Sequence, residues 1–424
     1  MDAGLAGAST RKHYRLAGGY GLVGPHAGDG YSAPLTEVAP GILTDGRSEY
    51  PVVDGIPYLL DASTRPGLER ARERACELLR RGDERAALRL LLRDQDRFSP
   101  TAPPSEAAVD ALIDGRDTLS LREAMALLNY GPVADYFAYR WSSPTFQSGL
   151  ALLERAGRPH QPLVEVACGI GHFLRHAEGE GRAVVGVDIV FSKLWLARHF
   201  LGVTGPLVCG DIERSAVLAL GGAEIGGSDG AARSCTVFCH DAFYFFEDKP
   251  SAYAHLRALA GEGGTVVLGH VHTRTDAHEA GFAERLTDYR QLLPTGAALL
   301  DDVSLACAFL SRDDDGEAAS AKSTAFALVD GPQHHAHASW IPARDALRLN
   351  PLLTSDGLAF PSAGWRREFE EDSEPLGRTS LGAFAKTRRV QALVNGDTAI
   401  ADLGEEEAAS LYRHRVLLNL PARW

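Results

Sequence analysis

Two patterns of apolar and polar positions run along this chain, and one replaces the other near residue 145. Over residues 66–94, "PGLERARERACELLRRGDERAALRLLLRD" spaces its apolar positions three and four apart on both sides of Gly82-Asp83, which predicts a helical hairpin. Before it, "YPVV" and "IPYLL" flank Asp54-Gly55, a turn pair that predicts a short β-hairpin. "SPTAPPS" at 99–105 reads as a linker, and helices follow over 105–130. A further helix carries Tyr136, Phe137, Tyr139, Arg140 and Trp141. Beyond 145, the apolar runs "PLVEVAC", "AVVGVDI", "PLVCGDI", "CTVFCHDAFYFF" and "GTVVLGHVH" alternate with helical segments. That alternation predicts a parallel sheet covered on both faces. "VSLACAFLS" and "STAFALVDG", flanking the acidic "RDDDGEAASAK", are expected to add an antiparallel pair at the sheet edge. "GGAEIGGSDGAARS" at 221–234 reads as a flexible loop, and an appended segment is expected after 335.

Composition narrows the classes. A chain of 424 residues exceeds one ordinary core and points to two or three units. Its 45% hydrophobic and 23% charged residues suit a globular protein. A net charge of -13 argues against a general nucleic-acid or anionic-membrane binder, because phosphate binding needs clustered Lys and Arg. The six cysteines form no CxxC pair, and Cys235 and Cys239 lack a second pair to complete a zinc site. Buried, reduced thiols are the expectation. The N-terminus shows no signal-peptide pattern and no run reaches the ~18 apolar residues of a membrane span, so a cytoplasmic location is expected.

Candidate chemistry starts at "VEVACGIGHF", residues 164–173. Here a strand runs through Gly169 and Gly171 into a helix, so backbone N–H groups face any ligand that approaches. Asp188 ends the second strand, where a carboxylate can hold a ribose diol, and Asp211 ends the third, within reach of an exocyclic amine. Both positions fall on the carboxyl edge of a parallel sheet, where ligands bind.

This constellation resembles the class I S-adenosylmethionine-dependent methyltransferases. Glu165, Ala167, Cys168, Gly169 and Gly171 stand in the first motif, Asp188 and Ile189 in the second, and Asp211 and Ile212 in the third. "VFCHDAFYFF", with His240, is similar to the fourth-strand motif, and "LAGEGGTVVLG" to the turn into the fifth. The resemblance covers residues 145–330. It implies a Rossmann-like α/β core with a mainly parallel seven-stranded sheet, S-adenosylmethionine as cofactor and S-adenosylhomocysteine as product. Ala167 departs from the glycine common at that place, and Leu174 stands where a dinucleotide fingerprint has its third glycine. "YPVVDGIPYLL" resembles the end of the small zinc-ribbon activators of methyltransferases, without their cysteines. The expected units are a β-rich segment at 1–62, a helical lid region at 63–144, the cofactor-binding domain at 145–335 and a C-terminal extension at 336–424.

Catalytic candidates are the groups at the same sheet edge: His240, Tyr244, His270 and His272. Of His270 and His272, only one is expected to meet the pocket. Tyr136, Tyr139, Arg140 and Trp141 on the preceding helix, with His335 after the seventh strand, are the substrate candidates. The "HHAH" run has no carboxylate or thiolate at fixed spacing, so no metal is expected. The expected activity is methyl transfer to a small or carrier-bound metabolite in bacterial biosynthesis, without nucleic acid or membrane. Two rivals stay open: the same fold catalysing an elimination or cyclisation such as aziridine formation, and a non-catalytic scaffold working with a protein partner.

Overall fold

The computed structural model describes residues 21–24, 34–62, 64–95, 101–156, 161–215, 217–219, 234–275, 280–295, 297–312, 316–333 and 340–424. A two-residue strand, β1 (Gly21–Leu22), precedes β2 (Thr36–Ala39), β3 (Ile42–Thr44), β4 (Glu49–Val53) and β5 (Ile56–Pro57). Asp54 and Gly55 take φ of 50° and 73°, as a two-residue hairpin turn requires. The sequence pointed to a single hairpin, but β2 to β5 form a four-stranded antiparallel sheet.

Helices α1 (Leu68–Arg80) and α2 (Glu84–Leu92) make the helical hairpin, with Asp83 capping α2 through the Ala86 N–H. Next come α3 (Glu106–Asp114), α4 (Leu121–Leu127), α5 (Val133–Tyr139) and α6 (Pro144–Ala156). Ser120 and Glu123 start α4 with a reciprocal capping box. The alternating region gives β6 (Leu163–Val166), α7 (His172–Gly179), β7 (Val184–Asp188), α8 (Phe191–Leu196), β8 (Leu207–Cys209), β9 (Leu218–Ala219), β10 (Thr236–His240), α9 (Lys249–Ala260) and β11 (Thr265–His272). After these lie α10 (Leu286–Leu292), β12 (Ala298–Asp301), α11 (Asp302–Ser311), β13 (Ala325–Asp330) and α12 (Ala363–Ser373).

Seven strands form one sheet in the order β12-β13-β11-β10-β6-β7-β8. β8, β7, β6, β10 and β11 are mutually parallel, and β13 is antiparallel to β11 and β12. β6, β7 and β10 are buried at every position, because helices cover both faces. This is the Rossmann-like class I methyltransferase fold that the sequence implies. The chain steps outward from β6 to β8 and then returns to β10 beside β6. The carboxyl edge between β6 and β10 is therefore a topological switch point, where a ligand crevice opens.

The small sheet closes the free edge of the large one. Leu59 N–H donates to the Cys209 carbonyl at 2.7 Å, and Tyr58 bridges to Cys209 in parallel. Asp54 holds this docking by accepting from Trp195 Nε1–H at 2.8 Å.

One expected strand is a helix. "VSLACAFLS" forms most of α11, and the antiparallel partner of β13 is Ala298–Asp301 just before it. Asp301 caps α11 by accepting from Ser304 N–H at 2.9 Å, and the run's Ala and Leu residues favour a helix once it is started. The six cysteines are free thiols, five of them buried. Among the described residues, no helix is long and apolar enough to cross a membrane.

Candidate active site

The turn after β6 has three left-handed residues, Ala167 at φ 54°, Gly169 at 55° and Gly171 at 84°. Ala167 thus bears a steric cost of about 1–2 kcal/mol that glycine would avoid. Gly171 opens α7, and a Cβ there would stand 3.1 Å from Val203 and 3.2 Å from Ala197. Asp188 ties the turn down: Oδ2 accepts from Gly169 N–H at 2.8 Å and Oδ1 from Val190 N–H at 2.9 Å. Glu165 accepts from Leu174 N–H at 3.0 Å. Burial pushes the Glu165 carboxyl well above its ordinary range, against the pull of Arg140. Burial likewise raises the Cys168 thiol, so it is a small packing group and not a thiolate.

A cavity of about 1040 Å³ opens at this edge. Glu165, Ala167, Cys168, Gly169, Asp188, Ile189, Asp211, Ile212 and His240 line it, which leaves Gly171 alone among the expected cofactor residues outside its wall. Ile189 is 37% exposed there, an apolar side chain left open at the wall. Asp211 accepts from Glu213 N–H at 3.0 Å, and burial raises its carboxyl.

The other end of the cavity is built around Asp241. Its Oδ2 accepts from Tyr136 Oη at 2.7 Å and from Arg140 Nη1 at 3.0 Å, and its Oδ1 accepts from Tyr244 Oη at 2.9 Å. Burial alone would raise this carboxyl; Arg140 and the neighbouring histidines outweigh it and hold the group below its usual range. Arg140 also donates to His240 Nδ1 at 3.0 Å. Burial and Arg140 push His240 down to about 3, and its Nε2 lies buried, with no partner among the described residues, turned toward Gly269. His240 thus lines the cavity while its Nε2 faces the packing.

The expectation that only one of His270 and His272 meets the pocket fails. Residues two apart on a strand share a face, and both imidazoles line the cavity with ring centroids 4.8 Å apart. His270 takes φ 47°, and the register with β13 shifts between Leu268 and Val271. His270 Nδ1 lies 2.8 Å from Asp302 Oδ2, and its backbone N–H donates to Oδ1 at 3.2 Å. Burial lowers His270, but Asp302 and Asp241 overcome it and raise the group to about 9. His272 packs edge-on against Tyr244 at 4.6 Å.

Of the substrate candidates, Tyr136 and Arg140 line the cavity. Tyr139 packs instead on Trp424 at 5.3 Å, and Trp141 on His172 at 4.4 Å, both outside the cavity wall. His335 lies outside the described residues. Sequence reasoning missed Asp302, Glu368 and Asp372. The Asp301-Asp302 pair before an Ala/Leu-rich run is a helix-start signal that would have exposed the first. The other two are four apart on α12, beside the buried pair Trp365 and Phe369, and they reach the cavity from the C-terminal extension. Burial and neighbouring carboxylates push Asp372 up to about 6 and Glu368, at the cavity wall, to about 7.

No family model matches the chain, and no curated protein does. Solved structures do. A TehB-like SAM-dependent methyltransferase from Corynebacterium glutamicum is 15% identical over 43% of this chain and 86% of its own, with a TM-score of 0.31. Phosphoethanolamine N-methyltransferase 2 from Haemonchus contortus is 17% identical over 51% of this chain, with a TM-score of 0.34; the chain spans 61% of that enzyme. A chain from the complex of the Haloferax volcanii Trm112 methyltransferase activator with a methyltransferase is 16% identical over 51% of this chain and 99% of its own, with a TM-score of 0.34. Likenesses this low carry no weight beside the order and direction of the strands themselves.

Proposed function

We propose that the chain is an S-adenosylmethionine-dependent methyltransferase acting on a small or carrier-bound metabolite. One observation carries the reading. A single cavity of about 1040 Å³ has the glycine turn, Asp188 and Asp211 at one end and Tyr136, Tyr244, His270 and His272 at the other. That volume lies just above the ~300–1,000 Å³ typical of ligand sites, which leaves room for a second molecule beside a cofactor.

The donor set suits this cofactor. Each Asp188 oxygen accepts one backbone N–H, and a carboxylate oxygen has a second lone pair for a ribose hydroxyl. Ile189 offers an apolar face to a base, and Asp211 an acceptor for its amine. When bound, the cofactor supplies an electrophilic methyl on a sulfonium. Asp188 and the glycine turn would fix its position, while Tyr136, Tyr244 and α12 enclose the acceptor and exclude water. The net charge of -13 and the acidic far wall favour a small acceptor over a nucleic acid.

Isothermal titration with S-adenosylmethionine is expected to give one site per chain. Absence of binding at high micromolar concentration overturns the cofactor. Mass analysis of the converted acceptor then decides the reaction. A gain of one methyl supports transfer; loss of a leaving group without a methyl assigns the site to elimination or cyclisation.

A further inference from the structure

The acceptor end of the cavity holds a cluster that the cofactor does not use. Asp241, His270 and His272 each offer one ligand atom, and these atoms lie within 4.8 Å of one another. They sit at the ends of the adjacent parallel strands β10 and β11. We propose that this triad binds a divalent transition-metal ion, with open coordination positions facing the cavity.

Two imidazoles and one carboxylate on one side of an ion are the donor set that borderline cations such as Zn²⁺, Mn²⁺ and Fe²⁺ take, with positions left open for a substrate. Ligands about 2.0–2.2 Å from a shared ion stand about 3–3.5 Å apart, so closing the triad needs under ~1 Å of movement from each side chain. The strand itself makes the pair: residues two apart share a face, so His270 and His272 reach the cavity together.

His270 is also oriented as a ligand. Its Nδ1 is held by Asp302 at 2.8 Å, which leaves Nε2 as the atom that would coordinate, its proton released to solvent when the ion binds. A carboxylate behind a histidine is the usual support of a metal ligand, fixing ring orientation and raising basicity. Asp302 is 4% exposed and comes from the start of α11, so the support is rigid.

Charge agrees. Asp241, Asp302 and Asp372 surround His270, and Glu368 joins them from α12. Arg140 opposes them and binds Asp241 through Oδ2. Asp241 Oδ1 accepts from Tyr244 Oη and has a second lone pair to give. The ion would take an oxygen or nitrogen of the acceptor, so the inference narrows the substrate to a molecule with a metal-binding donor near its reacting atom. It does not depend on S-adenosylmethionine.

The test is titration of the full chain, stripped with chelator, with Zn²⁺ by calorimetry and with Co²⁺ by visible absorption, both without cofactor. One ion per chain is expected. His272→Ala and the double variant His270→Ala/His272→Ala should lose that binding while circular dichroism stays that of the parent. Asp302→Asn, which removes support rather than a ligand, should weaken binding by about 10–100-fold. Absence of stoichiometric binding overturns the proposal. So does binding that survives in the double variant and vanishes when His334, His335 and His337 are replaced instead.

Discussion

Gly269→Ala tests where the His240 ring lies. A Cβ added at Gly269 would overlap His240 Cδ2, and it would stand 2.8 Å from Leu152 Cδ1 and 3.1 Å from His240 Nε2. His240 cannot swing away freely. Its Nδ1 is bonded to Arg140 at 3.0 Å, and Phe173 packs against its ring at 5.0 Å. Overpacking of this kind costs about 1–3 kcal/mol. Alanine would otherwise be favoured over glycine in a strand interior by roughly 0.5–1 kcal/mol, so a loss is itself diagnostic. An unfolding entropy of about 2.1 cal/mol/K per residue gives about 0.9 kcal/mol/K for the whole chain, so the loss lowers Tm by about 1–3 °C.

Scanning calorimetry on four proteins measures it: parent, Gly269→Ala, His240→Ala and the double variant. His240→Ala leaves a void that the Gly269→Ala methyl partly fills. The double variant should therefore be more stable than the sum of the single losses by about 0.5–3 kcal/mol. Strict additivity, or a Gly269→Ala protein as stable as the parent, would refute the packing of the His240 ring against Gly269.

Asp188→Asn should weaken S-adenosylmethionine binding by about 1–3 kcal/mol in calorimetry, because charge-assisted acceptors are lost; unchanged affinity would remove Asp188 from the site. Arg140→Met breaks an ion pair whose side chains are 5% and 11% exposed, and it should cost about 3–5 kcal/mol at neutral pH. Asp241→Asn in that background should recover part of the loss, as read by the Tm of each variant. Asp54→Asn should cost under about 1 kcal/mol at pH 7, since the pair with His199 is only part-buried. The His199 hydrogen bond lowers the Asp54 carboxyl below its ordinary 3.8, against burial. Its contribution is therefore present above pH 3.8 and lost as the pH falls through the folded value. The gap in Tm between parent and Asp54→Asn should close on acidification, and a gap that widens would contradict the assignment.

The cofactor end of the cavity was legible because its signals are local. "VEVACGIG" carries its own strand, turn and helix start within eight residues, and Asp188 and Asp211 follow at the ends of runs that could only be buried strands. Helical spacing around Gly82-Asp83 and the Asp54-Gly55 turn are equally short-range, and both formed as expected. Tyr139 and Trp141 were misjudged for a different reason. Helical spacing names a face, but what covers Tyr139 is Trp424, some 280 residues away, and what Trp141 meets is His172, and spacing holds no trace of either.

The acceptor end depended on two events that periodicity conceals. An apolar run of nine residues fits a buried strand or a buried helix equally well, and for "VSLACAFLS" the capping Asp301 decided for the helix. That choice is not a detail of topology, because it delivers Asp302 to His270. The bulge before Val271 is the second event. Alternation puts His270 and His272 on one face, and the left-handed residue at 270, at a cost of about 1–3 kcal/mol, accompanies a register shift that periodicity does not show. Neither event serves the packing of the sheet alone: a regular β11 and a strand at 303–311 would have satisfied the same apolar pattern. The end of β11 and the start of α11 bring two imidazoles and Asp302 to the end of the cavity that holds Asp241. The strained His270 thus belongs to the cluster that the metal titration tests directly.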